Sequence, residues 1–155
     1  MKVIFAGFEG INNSAKILLD KVNMSNSKVY MPNDKEKSFE VIKPFLIDKS
    51  YVICVGQKPL LKDKLSIEKT ARMGDKIIKS NVQFDKLERI ISQTYKYKYS
   101  ENAGTSYCNS IYYKILNYIQ EKNINVQVVF IHIPQRKNIS NFNLLVNTFE
   151  NILIS

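Results

Sequence analysis

Two cysteines and one histidine are all that the 155 residues offer to soft metals or sulfur crosslinks. Cys54, Cys108 and His132 stand too far apart along the chain for a zinc-binding pattern. Nor do the cysteines form a disulfide framework: Cys54 lies inside YVICVG, an apolar strand-like run where a small core residue is expected, and Cys108 lies beside a turn. Long apolar runs are missing as well. Nothing approaches a membrane span, and MKVIFAGF reads as a short strand rather than a signal peptide, because acidic and polar residues follow at once. A cytoplasmic chain with no membrane partner is therefore expected. Repeats, linkers and low-complexity tails are also lacking, so residues 1–155 are expected to form one domain, with 45% hydrophobic content to build its core.

Positive charge is in excess. Lys and Arg number 23 against 14 Asp and Glu, a formal net charge of +9, which raises the reading of a basic α/β module that binds a polyanion. The lysines argue against nucleic acid as a partner: they are scattered singly, as in AKIL, DKV and SKV, and no nucleic-acid motif accompanies them.

Hydrophobic patterning alternates between two kinds of element. VIFAGF, SKVYM, YVICVG and NVQVVFIHI read as strands, and YKY between Tyr95 and Tyr99 as a strand with one solvated face. Helices are expected after Asn13 or Ser14, over SFEVIKPFLI (short or kinked at Pro44), over FDKLERIISQTY, from Cys108 through Ile119, and over 141–153 with Ser140 or Asn141 as cap. Between Gln57 and Asp75 the pattern has no sustained period, and a loop with a short strand near Leu65 to Ala71 is expected. Such alternation predicts a layered α/β domain with a mostly parallel sheet, whose reactive groups gather at the carboxyl ends of its strands. Gly7, Gly56, Cys108 and His132 all fall there.

SENAGTSYCNSIYYKIL, residues 100–116, is the most informative stretch. Its small residues end at a cysteine that heads an amphipathic helix, where N–H groups and the peptide dipoles lower a thiol's pKa. Ser100, Asn102, Ala103, Gly104 and Thr105 let backbone N–H groups approach an oxyanion; alternatively they form an ordinary helix start capped by Thr105 or Ser106. A cysteine nucleophile needs a base and a group to orient it. His132 is the only histidine, though a histidine at a strand end can equally be satisfied by backbone. Glu68, in SIEKTA, is an attractive third member, with a surface pair to Lys69 or Arg72 as the alternative.

SENAGTSYCNSIYY resembles the active-site segment of the pyroglutamyl peptidase I family, the pyrrolidone-carboxylate cysteine peptidases, in which Ser-x-x-Ala-Gly-Thr-x-x-Cys-Asn carries the nucleophile. FIHIP is similar to that family's histidine strand, IEKTA to its glutamate segment, and GFEG and VGQ to its substrate-pocket segments. The resemblance implies an α/β/α sandwich and release of N-terminal pyroglutamate from peptide substrates through Glu68, Cys108 and His132. Phe8 would cover the lactam ring and Gln57 would hydrogen-bond it. No metal or organic cofactor is called for.

Departures concern recognition more than chemistry, though local support of the site changes too. The family's second loop phenylalanine is missing where Gly10 and Ile11 lead directly to Asn12, Lys58 to Leu61 replace Ala-Gly-Gly-Arg, and Arg72 and Met73 replace Ile-Asn. The chain is also shorter than a usual member, so the family's tetramer is not carried over and a homo-oligomer is left open. A related cysteine hydrolase or amidase for another small acyl group is the second enzymatic reading.

Overall fold

The computed structural model describes residues 2–23, 28–104 and 107–154. The strands are β1 (Lys2–Phe8), β2 (Lys28–Met31), β3 (Ser50–Gln57), β4 (Leu65–Glu68), β5 (Thr70–Met73), β6 (Lys76–Lys79), β7 (Tyr97–Ser100) and β8 (Gln127–Ile133). The helices are α1 (Ser14–Lys21), α2 (Lys35–Ile42), α3 (Phe84–Ile91), α4 (Tyr107–Glu121) and α5 (Phe142–Leu153). Six strands form one sheet in the order β2-β1-β3-β8-β4-β7, while β5 and β6 form a separate antiparallel pair.

Strand side chains alternate between faces, so each strand supplies two cores. Ile4, Ala6, Phe8, Val52, Cys54, Val128 and Phe130 meet α2 and α4, through Ile42, Ile111, Tyr112, Ile115 and Ile119. Phe5, Ile53, Val55, Val129, Ile131 and Ile133 meet α1, α3 and α5, through Leu18, Leu19, Leu87, Ile91, Leu145 and Phe149. The result is the α/β/α sandwich with a mostly parallel sheet.

Local chemistry accounts for several boundaries. Asn13 and Asn141 cap α1 and α5, their side-chain oxygens accepting from Ala15 N at 2.9 Å and Leu144 N at 3.0 Å. Pro44 coincides with the end of α2 and a 3₁₀ turn over Lys43–Phe45. The caps expected at Thr105 or Ser106 lie outside the described residues. No helix among the described residues is long and apolar enough to cross a membrane.

Two features correct the sequence reading. The segment 65–79 holds three strands rather than one: β4 joins the main sheet, and β5 and β6 make a hairpin around the two-residue loop Gly74-Asp75, with Gly74 at φ 59°. Gly-Asp between apolar segments is a hairpin signal, but Arg72 and Met73 interrupt the alternation that would expose it. β4 also runs antiparallel to β8 and parallel to β7. All four of its residues are buried, so it shows no alternation from which its setting could be read.

Candidate active site

Gly56 is the pivot of the site. A Cβ built there would stand 2.7 Å from Cys108 Sγ and 2.9 Å from the Phe130 ring, closer than any side chain allows, so the absence of a side chain is what admits the sulfur. Gly56 is registered against His132 across the parallel pair β3 and β8. Registered residues share a face, so His132 lies on the face over which α4 carries Cys108. On the other side of β8, Ser66 is registered with His132 and Glu68 with Phe130, which brings these side chains to the same face.

There His132 Nδ1 and Glu68 Oε2 are 2.8 Å apart, and Ser66 Oγ donates to the same oxygen at 2.8 Å. A carboxylate accepts, so Nδ1 carries the hydrogen and Nε2 is left as the basic nitrogen. The backbone-satisfied histidine of the alternative reading is thus not what is found. Glu68 is fully buried rather than at the surface, and Lys69 lies instead over the rings of Tyr99 and Phe84, 4.5 and 5.6 Å from their centroids. Burial works against the Glu68 charge, but the hydrogen bond and charge of His132, with the bond from the Ser66 hydroxyl, outweigh it and hold the carboxyl below its ordinary range. Glu68 Oε1 has no hydrogen-bond partner among the described residues; Ser100, registered beside Glu68, instead donates its hydroxyl to Asn102 O at 3.1 Å.

The Cys108 thiol reverses an expectation. Burial first, and the Glu68 charge second, push it up to about 12, although its own backbone N–H and Lys58 act in the opposite direction. A helix N-terminus lowers a thiol only where burial and negative charge do not exceed it. Cys54, wholly buried, is likewise pushed up to about 12, by burial and by its neighbour Cys108.

Residues not singled out from the sequence brace this centre. Tyr112 donates its hydroxyl to Glu68 O at 2.8 Å, joining α4 to β4. Asn109 pairs with the Arg72 backbone through bonds of 2.9 and 2.8 Å. Thr70 Oγ1 and Arg72 Nε both donate to Glu101 O, at 2.8 and 3.1 Å. The unforeseen hairpin therefore holds the turn that leads toward Cys108, with Arg72 among its supports. In that turn Asn102 Oδ1 accepts from Gly104 N at 3.0 Å, and Gly104 adopts φ 91°.

The expected substrate residues are not brought together. Phe8 belongs to the Cys108 face and its ring centroid is 6.4 Å from that of Tyr107, the residue before the cysteine. Gln57, one position past Gly56, points to the other face, and its Oε1 accepts from Ser14 N at 2.9 Å. With that oxygen engaged, the amide nitrogen of Gln57 is the group left to donate to a lactam. No group of three or more His, Cys, Asp or Glu side chains suited to a metal occurs among the described residues.

No protein-family model matches the chain. Curated relatives do: it is 28% identical to the pyrrolidone-carboxylate peptidase of Brachyspira hyodysenteriae, over 86% of this chain and 83% of that one. It is also 28% identical to pyrrolidone-carboxylate peptidase 2 of Caldanaerobacter subterraneus subsp. tengcongensis, over 86% and 81%. The first alignment spans 174 positions, more than the 155 residues present, so that relative carries internal segments lacking here. Among solved structures, pyroglutamyl peptidase I of Bacillus amyloliquefaciens superposes with a TM-score of 0.80 at 19% identity, covering 99% of this chain and 93% of that chain. Over most of its length the chain is thus similar to pyrrolidone-carboxylate peptidases, and it is a shorter chain that shares the fold of pyroglutamyl peptidase I.

Proposed function

We propose that the chain is a cysteine peptidase that removes N-terminal pyroglutamate from peptides, with Cys108 as nucleophile, His132 as base and Glu68 as the group that orients it. The carrying observation is the 2.8 Å Glu68–His132 contact on the face where Cys108 Sγ rests against Gly56. Relatives whose names state a pyrrolidone-carboxylate peptidase activity support the same reading.

With burial raising the Cys108 thiol, His132 serves as the general base for its proton. Its Nε2 takes the Cys108 proton as sulfur attacks the carbonyl that links pyroglutamate to the next residue. Glu68, accepting from Nδ1, keeps the tautomer that leaves Nε2 basic and stabilises the imidazolium. The imidazolium then protonates the departing amine, and water hydrolyses the thioester with His132 again as base. Backbone N–H groups at the head of α4 are the candidate oxyanion donors.

A second reading, a cysteine hydrolase for another small acyl group, is favoured by Gln57, whose carbonyl oxygen is engaged by Ser14 on the opposite face. Hydrolysis of pyroglutamyl-naphthylamide beside its prolyl and acetyl counterparts, with Cys108→Ala as blank, separates the two. Cleavage of the pyroglutamyl compound alone is expected; preference for another acyl group supports the second reading, and turnover by the blank defeats both.

A further inference from the structure

We propose that Lys58 is a positioning residue of this site, its ammonium serving as the counter-charge that a buried Cys108 thiolate beside Glu68 would otherwise lack. The inference rests on the reading of Cys108 as nucleophile.

Lys58 opens the turn after β3 and its backbone is fixed on both sides. Its N–H donates to Ile133 O at 2.9 Å, and its carbonyl accepts from Leu61 N at 3.1 Å. Pro59 further restricts it to extended conformations. From that anchor the side chain crosses the end of β8 and brings Nζ to 3.7 Å from Glu68 Oε2, the oxygen that already accepts from Ser66 and His132. Glu68 is fully buried, while 31% of the Lys58 side chain is exposed, so the pair joins a buried carboxylate to a partly solvated lysine.

Charge counting gives this placement a purpose. Before the proton moves, the site holds one negative charge, on Glu68. Afterwards Cys108 is a thiolate and His132 an imidazolium, so the net charge is unchanged but two anions now share a buried space. Glu68 therefore helps the imidazolium and opposes the thiolate, and both effects are strong where solvent is excluded. The titratable groups facing this space are Glu68 from β4, His132 from β8, Cys54 from β3, and Cys108 and Tyr112 from α4. Among the described residues Lys58 is the lysine whose ammonium nitrogen comes within ion-pair distance of the Glu68 carboxylate. It acts on the Cys108 sulfur in the direction opposite to Glu68. The pair is a weak source of stability, since one member is partly solvated, which allows the charge to be removed without unfolding the protein.

The test is the rate of alkylation of Cys108 by iodoacetamide from about pH 6 to about pH 10, where a raised thiol reacts in proportion to its small thiolate fraction, with peptide mapping to separate Cys108 from Cys54. Lys58→Met is expected to shift the profile upward by about one unit, seen as roughly tenfold slower alkylation at neutral pH. Lys58→Arg is expected to restore the wild-type profile, which a merely structural lysine would not require. Lys58→Gln replaces the methionine variant should that one fail to fold. Profiles matching wild type in the neutral variants overturn the proposal. Pyroglutamyl-naphthylamide turnover by the same wild-type preparation is read separately: inactivity with a shifted alkylation profile defeats the peptidase reading and leaves Lys58 in place, whereas activity with an unshifted profile does the reverse.

Discussion

Glu68, His132 and Cys108 are drawn to one face of the sheet, Glu68 bonded to His132 and Tyr112 and Cys108 seated against Gly56, whereas Phe8 and Gln57 point to opposite faces and share no partner. The difference is physical. Chemistry depends on atoms fixed by strand register, which survives shortening of loops because adjacent strands dictate it. Recognition depends on loops at strand ends, where the expected pocket segments depart in sequence: Gly10 and Ile11 lead directly to Asn12, and Lys58 to Leu61 follow Gln57. A reaction centre can thus be kept while the grip on its substrate drifts.

The largest effect that would break this comparison is on catalysis. Glu68→Gln is expected to lower kcat roughly a thousandfold to ten-thousandfold with little change in KM, since the histidine loses its tautomer and its countercharge; a change confined to KM would move Glu68 to the recognition side. Gly56→Ala comes next. Its methyl would meet Cys108 Sγ and Phe130, so a stability loss of about 1–3 kcal/mol in urea denaturation and nearly abolished turnover are expected.

A third prediction separates the two sulfurs from solvent. Both thiols rise from 9.0 to about 12 on folding. A raised folded value contributes stability below the unfolded value and loses it as pH climbs toward the folded one, because the unfolded thiols ionise first. The urea midpoint should hold below about pH 9 and fall progressively above it, with Cys54→Ala reducing the slope. The smallest effect is expected at Gln57. Gln57→Ala should cost about 1 kcal/mol by leaving Ser14 N–H without its acceptor, and change KM for the pyroglutamyl substrate by less than about threefold, which is under 1 kcal/mol. A tenfold rise in KM would show that its amide nitrogen reaches the substrate.

Much of the frame was legible in the sequence because long buried strands and capped amphipathic helices advertise themselves: VIFAGF, YVICVG, the Cys108 helix and the Asn141 cap all stand where their patterns put them. The hairpin over 70–79 did not, since Arg72 and Met73 are exposed on an otherwise apolar segment and mask its period. Cys, His and Glu were readable as types at spaced positions. Their environment was not. The raised thiol follows from burial and from a carboxylate forty residues away in the chain, and Lys58 acquires its role only when the end of β8 is crossed in space. Tyr112 looked like one more apolar position of a helix, yet its hydroxyl joins α4 to the glutamate strand.

The most direct test of the central claim is peptide mapping after acid quench of a reaction with pyroglutamyl-naphthylamide. The account predicts a pyroglutamyl thioester on the peptide that contains Cys108, none on the peptide that contains Cys54, and no adduct or turnover in Cys108→Ala. Turnover that proceeds without an adduct on Cys108, or that survives in Cys108→Ala, would contradict it.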